Sequence, residues 1–455
     1  MVLYRRFVCG IFVKFLRAIS REAVSSRNSL EMKTLIKQAS IIDRQSPHNG
    51  TTRDILVENG LITAIGENLS VTADIVIHQP GLCVSPGWVD IFSHFGDPGY
   101  EYKETLETGT AAAAAGGYTD VFVLPNTRPV VDTKSQVEYV RRGSGSGLVN
   151  VHPIGAMTRG LEGKDLAEMY DMRSSGAVAF SDGTQPVQSA GLLLKGLQYV
   201  KAFDGTIIQI PDDKTVGANG LMNEGVVSTR LGLPGKPMMA EELMVARDIK
   251  LLRYTESKLH FTGISSPRSL EYIRRAKESG LAVSCSVTPY HLFFTDARLE
   301  GYDTNLKVYP PLRDELSVQA LRKAVTDGLV DCIASHHLPH EFDSKVVEFE
   351  YAKAGMISLE TAYAVVRTVL PELPAERFVE LFSRQPRKLF GLEQPVLAEG
   401  QRAVLTFFNP DGVTVPSEKG TSSKSKNSPF FGTTLKGQVL GILNGEALHL
   451  NKGAN

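Results

Sequence analysis

The chain has 455 residues, of which 42% are hydrophobic and 22% are charged, and its formal net charge is −1 at pH 7. This composition is typical of a globular protein, and the balanced charge argues against a nucleic-acid partner or an anionic membrane partner. The four cysteines, Cys9, Cys83, Cys285 and Cys332, are far apart in the chain. Their spacing argues against a thiolate zinc site and a disulfide framework, and it fits a reducing cytoplasm.

The N-terminal segment, residues 1–31, is basic, with six Arg or Lys residues against two Glu residues. Its apolar stretch is interrupted at Lys14 and is shorter than the roughly 18 residues that span a bilayer. A signal peptide or a basic helix on a membrane surface is one interpretation. The simpler one is an upstream extension that is not native, with Met32 as the true start, because the first strand pattern opens at Lys33.

Both ends of the remaining chain have the pattern of short β-strands. Runs rich in Ile, Leu and Val are separated by turn signals, and Asn59-Gly60 is typical of a hairpin. The pattern predicts one small β-sandwich domain formed by both termini, from residues 32–86 plus 391–455. Within it, residues 416–428 are rich in Ser and Lys, which predicts a mobile surface loop.

Residues 87–390 alternate apolar strand-like runs with helical patterns. Residues 206–210 are an example of the first and residues 238–256 of the second. About 300 residues of repeated strand and helix predict an α/β fold, either a (β/α)8 TIM-like barrel or a doubly wound sheet, and we favour the barrel. In both folds the chemistry lies at the C-terminal ends of the strands, so candidate site residues are expected there.

A series of ordered motifs resembles the dihydroorotases of the class found in many bacteria and in multifunctional pyrimidine-synthesis proteins. The resemblance covers residues 33–455. Its motifs are SPGWVDIFSHFGDPGYEYKET from Ser85, GTAAAAAGGYT from Gly109, LPNTRP from Leu124, AFSD from Ala179, MNEGVVSTRLGLP from Met222, VTPYHL from Val287, PPLR from Pro310 and PH from Pro339. The resemblance implies a barrel of the amidohydrolase type that interconverts dihydroorotate and carbamoyl aspartate. It also implies a pair of zinc ions, which activate a bridging water at neutral pH.

The resemblance places the zinc ligands at positions where this chain carries other side chains. In the His-x-His-x-Arg frame of the first barrel strand the chain has Phe92, His94 and Gly96. One ligand and the arginine that holds the substrate carboxylate are therefore replaced, and His94 remains. The next histidine ligands correspond to Ile210 and Gly263. Neither side chain can bind zinc, because zinc takes nitrogen, sulfur and oxygen ligands.

The positions for substrate binding and proton transfer also differ from the family pattern. Asn126 stands at a substrate-contacting position, and His337 is a second candidate for substrate binding. Tyr309 replaces a substrate-contacting Asn, and His336 replaces the catalytic Asp. The bridging carboxylate corresponds to Asp182. Zinc is therefore expected to be lost, or to be present as at most one ion.

Three functions remain open, and the sequence leaves the enzyme question undecided. The favoured one is a catalytically impaired homologue that acts as a structural or regulatory partner in pyrimidine synthesis, with aspartate transcarbamoylase or an active paralogue. A homodimer in the cytoplasm is expected. The second is a working cyclic amidohydrolase with one metal ion held by His94, Asp182 and His336. The third is a metal-free protein that binds a cyclic amide or ureide through Asn126.

Overall fold

The computed structural model describes residues 32–143 and 147–452, so the predicted extension 1–31 lies outside the described residues. The strands are β1 (Lys33–Ile41), β2 (Thr52–Glu58), β3 (Leu61–Gly66), β4 (Ile75–His78), β5 (Cys83–Pro86), β6 (Trp88–Ser93), β7 (Tyr118–Val123), β8 (Asn150–Gly155), β9 (Ala179–Phe180), β10 (Thr206–Gln209), β11 (Met222–Asn223), β12 (Gly235–Lys236), β13 (Lys258–Phe261), β14 (Val283–Val287), β15 (Cys332–Ile333), β16 (Val404–Thr414), β17 (Leu435–Asn444) and β18 (Ala447–Leu450).

The α-helices lie mostly between the barrel strands. They are α1 (Leu106–Ala115), α2 (Lys134–Arg142), α3 (Met169–Ser175), α4 (Ala190–Lys201), α5 (Val226–Leu231), α6 (Met239–Thr255), α7 (Pro267–Glu278), α8 (Pro289–Phe293), α9 (Glu315–Thr326), α10 (Ala362–Val369), α11 (Ala375–Val379) and α12 (Gln385–Phe390). Within residues 32–143 and 147–452, no helix is both long enough and apolar enough to cross a membrane.

Strands from both ends of the described chain form one mixed sheet in the order β18-β17-β16-β5-β1-β2-β3, with β4 paired to β1. Strand β5 joins the two ends, because it runs parallel to β1 and antiparallel to β16. The predicted hairpin turn lies between β2 and β3, where Asn59 and Gly60 have φ angles of 50° and 75°. The prediction of a β structure built from both termini is confirmed.

The second large sheet is the predicted barrel. Its parallel strands follow the order β6-β7-β8-β9-β10-β13-β14-β15. Ser93 pairs with His337 across the seam between the first and last strands, and the His94 backbone N–H donates to the His337 carbonyl oxygen at 2.9 Å. Strands such as β7 and β14 are buried along their whole length, as expected where both faces of a parallel sheet are covered. The barrel is confirmed, and the doubly wound alternative is wrong.

Helix α1 shows how the local sequence shapes the barrel mouth. The Thr105 hydroxyl caps its N-terminus by accepting from the Thr108 backbone N–H at 3.1 Å. On the buried face, a Cβ atom added to Gly109 would lie 2.5 Å from the ring of Phe95. Glycine is therefore needed at this position for Phe95 to pack against the helix below the mouth.

Residues 416–428, predicted to be a mobile surface loop, are attached to the barrel. Ser423 and Asn427 are buried, with 1% and 4% of their surface exposed. The Ser423 hydroxyl donates to the Glu104 carboxylate, and Asn427 Nδ2 donates to the Leu338 carbonyl oxygen at 3.0 Å. The prediction is wrong for this part of the segment, because its polar side chains satisfy buried groups of the barrel rather than solvent.

Candidate functional site

The residues predicted for the site follow the C-terminal ends of barrel strands, as expected. His94 follows β6, Asn126 follows β7, Asp182 follows β9, and His336 and His337 follow β15. Asn126 is half-buried. The other four are buried, and His94 is the most exposed of them at 8%.

The imidazole of His336 occupies the space between Phe92 and Gly263. Its ring stacks on the phenyl ring of Phe92, with centroids 4.3 Å apart and planes at 28°. Its Nε2 atom forms a hydrogen bond with Thr262 Oγ1 at 2.7 Å. A Cβ atom on Gly263 would stand 2.8 Å from His336 Cε1. Two positions of expected metal ligands therefore hold a phenyl ring and a residue without a side chain, and His336 packs against both.

A chain of hydrogen bonds continues from His336 into the barrel. Ser286 Oγ donates to Thr262 Oγ1 at 2.8 Å, and the ring of His260 bonds the hydroxyls of Ser286 and Ser284 at 3.0 and 2.8 Å. Burial lowers the pKa of His260 to about 3 and the pKa of His336 well below its ordinary value. Both rings are therefore neutral near pH 7.

One ring nitrogen in this series of hydrogen bonds has no hydrogen-bond partner. Among the described residues, His336 Nδ1 is buried and forms no hydrogen bond. An unsatisfied buried polar atom is uncommon in folded proteins.

His94 and Asn126 are bonded to neighbouring loops. His94 Nε2 forms a hydrogen bond with the Asn126 carbonyl oxygen at 2.8 Å, which makes Nε2 the protonated nitrogen of the ring. Burial lowers the pKa of His94 to about 4. Asn126 Nδ2 donates to the Asp182 carbonyl oxygen at 3.2 Å, and Asn126 Oδ1 accepts from the Thr184 backbone N–H at 3.3 Å. The Asn126 amide therefore connects two strand-end loops.

The Asp182 carboxylate faces the loop after β8. Asp182 Oδ1 accepts from the backbone N–H groups of Met157 and Thr158 at 3.0 and 2.9 Å, and Oδ2 accepts from the Thr158 hydroxyl at 2.5 Å. Burial raises the pKa of Asp182 to about 6. The structure therefore does not bring Asp182 together with His94 and His336. In the described part of the chain, no group of three or more His, Cys, Asp or Glu residues is placed to hold a metal ion.

The His337 side chain bonds to residues outside the proposed metal trio. Its Nδ1 atom accepts from the Ser358 backbone N–H at 3.2 Å, and its Nε2 atom lies 3.5 Å from Glu104 Oε2. Burial alone would raise the pKa of Glu104, but the contacts with His337, Ser423 and Thr108 lower it. His337 therefore supports the carboxylate that anchors residues 416–428.

Sequence reasoning missed a buried ion pair at the mouth. Lys236 Nζ lies 2.9 Å from Asp212 Oδ1, and both side chains are less than a tenth exposed. The Tyr309 hydroxyl donates to Asp212 Oδ2 at 2.5 Å. Burial and the Asp212 charge raise the pKa of Tyr309 well above its ordinary value. The tyrosine that replaces a substrate-contacting Asn is thus bonded within the protein, and no spacing pattern indicates its partners.

Comparison with known proteins identifies the family. The Dihydro-orotase-like family model matches residues 81–269. The dihydroorotase of Thermoanaerobacter sp. (strain X514) is 41% identical over 412 residues, which cover 90% of this chain and 95% of that protein. This chain belongs to the dihydroorotase family. The dihydroorotase of Syntrophus aciditrophicus (strain SB) is also 41% identical, over 414 residues that cover 90% of this dihydroorotase homologue and 97% of that protein.

Solved structures show the same fold. L-hydantoinase (dihydropyrimidinase) from Arthrobacter aurescens superposes with a TM-score of 0.81 at 25% identity, over 93% of this chain and 97% of the other. Dihydropyrimidinase from Brevibacillus agri NCHU1002 gives a TM-score of 0.77 at 20% identity, over 92% and 95%. Both solved structures thus share the amidohydrolase-type fold with this dihydroorotase homologue over more than nine-tenths of its length.

The pair of zinc ions that the family implies does not fit the side chains of this dihydroorotase homologue. Zinc requires imidazole, thiolate or carboxylate donors. Phe92 and Ile210 supply no lone pair and lie in one apolar cluster, and Gly263 has no side chain. Of the other candidates, the Asp182 carboxylate is held by the loop after β8 and His94 Nε2 is bonded to Asn126, and no group of three or more His, Cys, Asp or Glu residues that includes His336 is placed to hold a metal ion among the described residues.

Proposed function

We propose that this protein is a dihydroorotase homologue that does not catalyse the family reaction and acts as a structural or regulatory partner in pyrimidine synthesis. The observation that carries the proposal is the packing of the His336 imidazole between Phe92 and Gly263. This packing fills, with apolar and neutral groups, the region where the family resemblance expects metal ligands and a proton-transfer Asp.

The chemistry of the reaction supports this proposal. Ring opening of a cyclic amide at neutral pH needs an activated water, and a metal supplies it by lowering the pKa of water to about 7. No carboxylate stands at position 336 to move a proton, and burial keeps the His336 ring neutral. Gly96 stands where the family has an Arg for the substrate carboxylate, so substrate binding would also be weakened.

The proposed partners are aspartate transcarbamoylase or an active dihydroorotase paralogue from the same organism. The two enzymes catalyse consecutive reactions, because one makes carbamoyl aspartate and the other cyclises it. The protein is proposed to act in the cytoplasm as a homodimer. In this role the fold would be retained for its surface, while the barrel mouth would need only to remain stably packed.

Metal content and turnover test the loss of catalysis. The protein is purified without chelator, its zinc content is measured by mass spectrometry, and cyclisation of carbamoyl aspartate is assayed with added zinc. We expect well under one zinc ion per chain and no turnover above that of the His94→Ala variant. A relative with the intact His-x-His-x-Arg frame, treated in parallel, is the positive control. Two zinc ions per chain, or turnover that His94→Ala abolishes, would contradict the proposal.

One observation favours a single-metal enzyme as the second candidate. His336 Nδ1 is buried and without a hydrogen-bond partner among the described residues, so it is available as a ligand. Binding would still require the Asp182 carboxylate to leave Thr158, and His94 would have to bind through Nδ1, because its Nε2 donates to the Asn126 carbonyl oxygen. One zinc ion per chain that is lost in His336→Ala would favour this candidate. A metal-free amide-binding protein is supported less, because both polar atoms of the Asn126 amide already form hydrogen bonds.

A further inference from the structure

The loop after the last barrel strand is closed at its base. Residues 339–355 leave the barrel after Leu338 and return at Met356, and the Leu338 backbone N–H donates to the Met356 carbonyl oxygen at 2.9 Å. Asn427 Nδ2 donates to the carbonyl oxygens of Leu338 and Gly355 at 3.0 and 3.1 Å. A surface loop with joined ends resembles an Ω-loop, a class that is frequently functional.

Two buried lysines hold the backbone of this loop from the inside. Lys345 Nζ donates to the Lys353 carbonyl oxygen at 2.8 Å. Lys307 Nζ donates to the carbonyl oxygens of Phe349 and Glu350 at 2.7 and 2.9 Å. Lys345 and Lys307 are 5% and 8% exposed, although lysine is seldom fully buried. The backbone of the loop is therefore held on its inner side by one lysine of the loop and one from outside it.

The outer face of the same loop carries large apolar side chains. Phe342 is 74% exposed, Tyr351 is 71% exposed and Val346 is 62% exposed. Exposed aromatic groups on a fixed backbone are suited to binding, because little conformational entropy remains to be lost on association. Aromatic residues also dominate the energetic centres of protein interfaces.

The charges around these side chains define the partner's chemistry. Asp343, Glu348 and Glu350 are exposed, against the single exposed Lys353 in the same stretch. Like charges repel, so a symmetric contact between two copies of the loop would oppose acidic groups to acidic groups. An anionic membrane would be repelled as well. A protein surface with basic groups around an apolar pocket complements the loop.

We propose that residues 339–355 form the docking loop for a different protein, whose surface combines an apolar pocket for Phe342 and Tyr351 with a basic rim. This inference rests on the proposed partner role and names the surface that performs it. Because the loop lies next to the packed barrel mouth, a bound partner would cover the mouth as well.

Binding of the full-length protein to each proposed partner tests the inference. Purified aspartate transcarbamoylase and, separately, the active paralogue from the same organism are titrated with wild type, Phe342→Ser and Tyr351→Ser. We expect complex formation with one of them, weakened at least about tenfold by either loop change, and weakened further by salt. Tyr170→Ser is the matched control, because Tyr170 is 57% exposed on α3 outside the loop, and its affinity should stay at the wild-type value.

The outcomes separate the two proposals. Binding that neither loop variant weakens would overturn the docking loop and leave the partner role standing. Absence of a complex with both proteins would overturn the partner role, and the docking loop with it. Self-association that Phe342→Ser abolishes would also overturn the inference, since it would make the loop a contact between copies.

Discussion

The packing of His336 makes a sharp prediction for the substitution Gly263→Ala. Gly263 has a φ of 70°, and a Cβ atom there would lie 2.8 Å from His336 Cε1 and 3.2 Å from Pro310 Cδ. The His336 ring cannot easily withdraw, because it stacks on Phe92 and is hydrogen-bonded to Thr262. The added methyl group should therefore force a shift in the packed mouth.

The size of the effect follows from a matched control. Gly280 has a similar φ of 78° and no atom within 4 Å of its added Cβ. Gly280→Ala should therefore lower the free energy of unfolding only by the roughly 1–2 kcal/mol that a non-glycine residue costs in the left-handed conformation. Gly263→Ala should lose the same amount plus about 1–3 kcal/mol for overpacking. The difference between the two variants isolates the contact with His336.

Urea unfolding measures this contact. The proteins compared are wild type, Gly263→Ala, Gly280→Ala, His336→Ala and the double variant Gly263→Ala/His336→Ala. Removing the ring should relieve the clash. The free energy of unfolding that the double variant loses should therefore be about 1–3 kcal/mol smaller than the sum of the losses in Gly263→Ala and His336→Ala. Equal losses for Gly263→Ala and Gly280→Ala, or strict additivity with His336→Ala, would refute the proposed packing.

Two further predictions concern buried lysines. Burial lowers the pKa of Lys345 to about 7. Below that pH the buried ammonium group is charged and lowers the free energy of unfolding, and this destabilisation decreases as the pH rises above 7. The stability of wild type relative to Lys345→Met should therefore increase by up to about 1.4 kcal/mol per pH unit above pH 7; a flat difference to pH 9 in urea unfolding would contradict this. Lys236→Met should lose about 3–5 kcal/mol, because Asp212 would remain buried without its cation, and adding Asp212→Asn should recover part of that loss.

Much of the fold could be predicted from the sequence because its signals are local. The alternation of strand and helix patterns over residues 87–390 and the turn at Asn59-Gly60 depend on neighbours in the chain. The same local reasoning was wrong for residues 416–428. Their Ser-rich composition indicates a solvent-exposed loop, but Ser423 meets Glu104, more than 300 residues away in the chain.

The positions of the candidate site residues could be predicted from the sequence, but their contacts could be predicted only in part. The family frames placed His94, Asn126 and His336 at strand ends, where the structure has them. The direction in which each side chain points depends on which loop groups form hydrogen bonds with it. Asp182 turns to Thr158 because two backbone N–H groups and a hydroxyl meet there, and Lys236 finds Asp212 only through the tertiary fold.

The replaced positions at the barrel mouth depend on one another sterically. Phe92 offers a ring face to His336, and Gly263 offers the space that the His336 ring needs, although His336 Nδ1 stays buried without a hydrogen bond among the described residues. The side chain of a histidine introduced at position 263 alone would therefore meet the imidazole of His336. Introducing histidine at position 92 or 263 would therefore require a change at position 336 as well, because the three side-chain positions share one packed space.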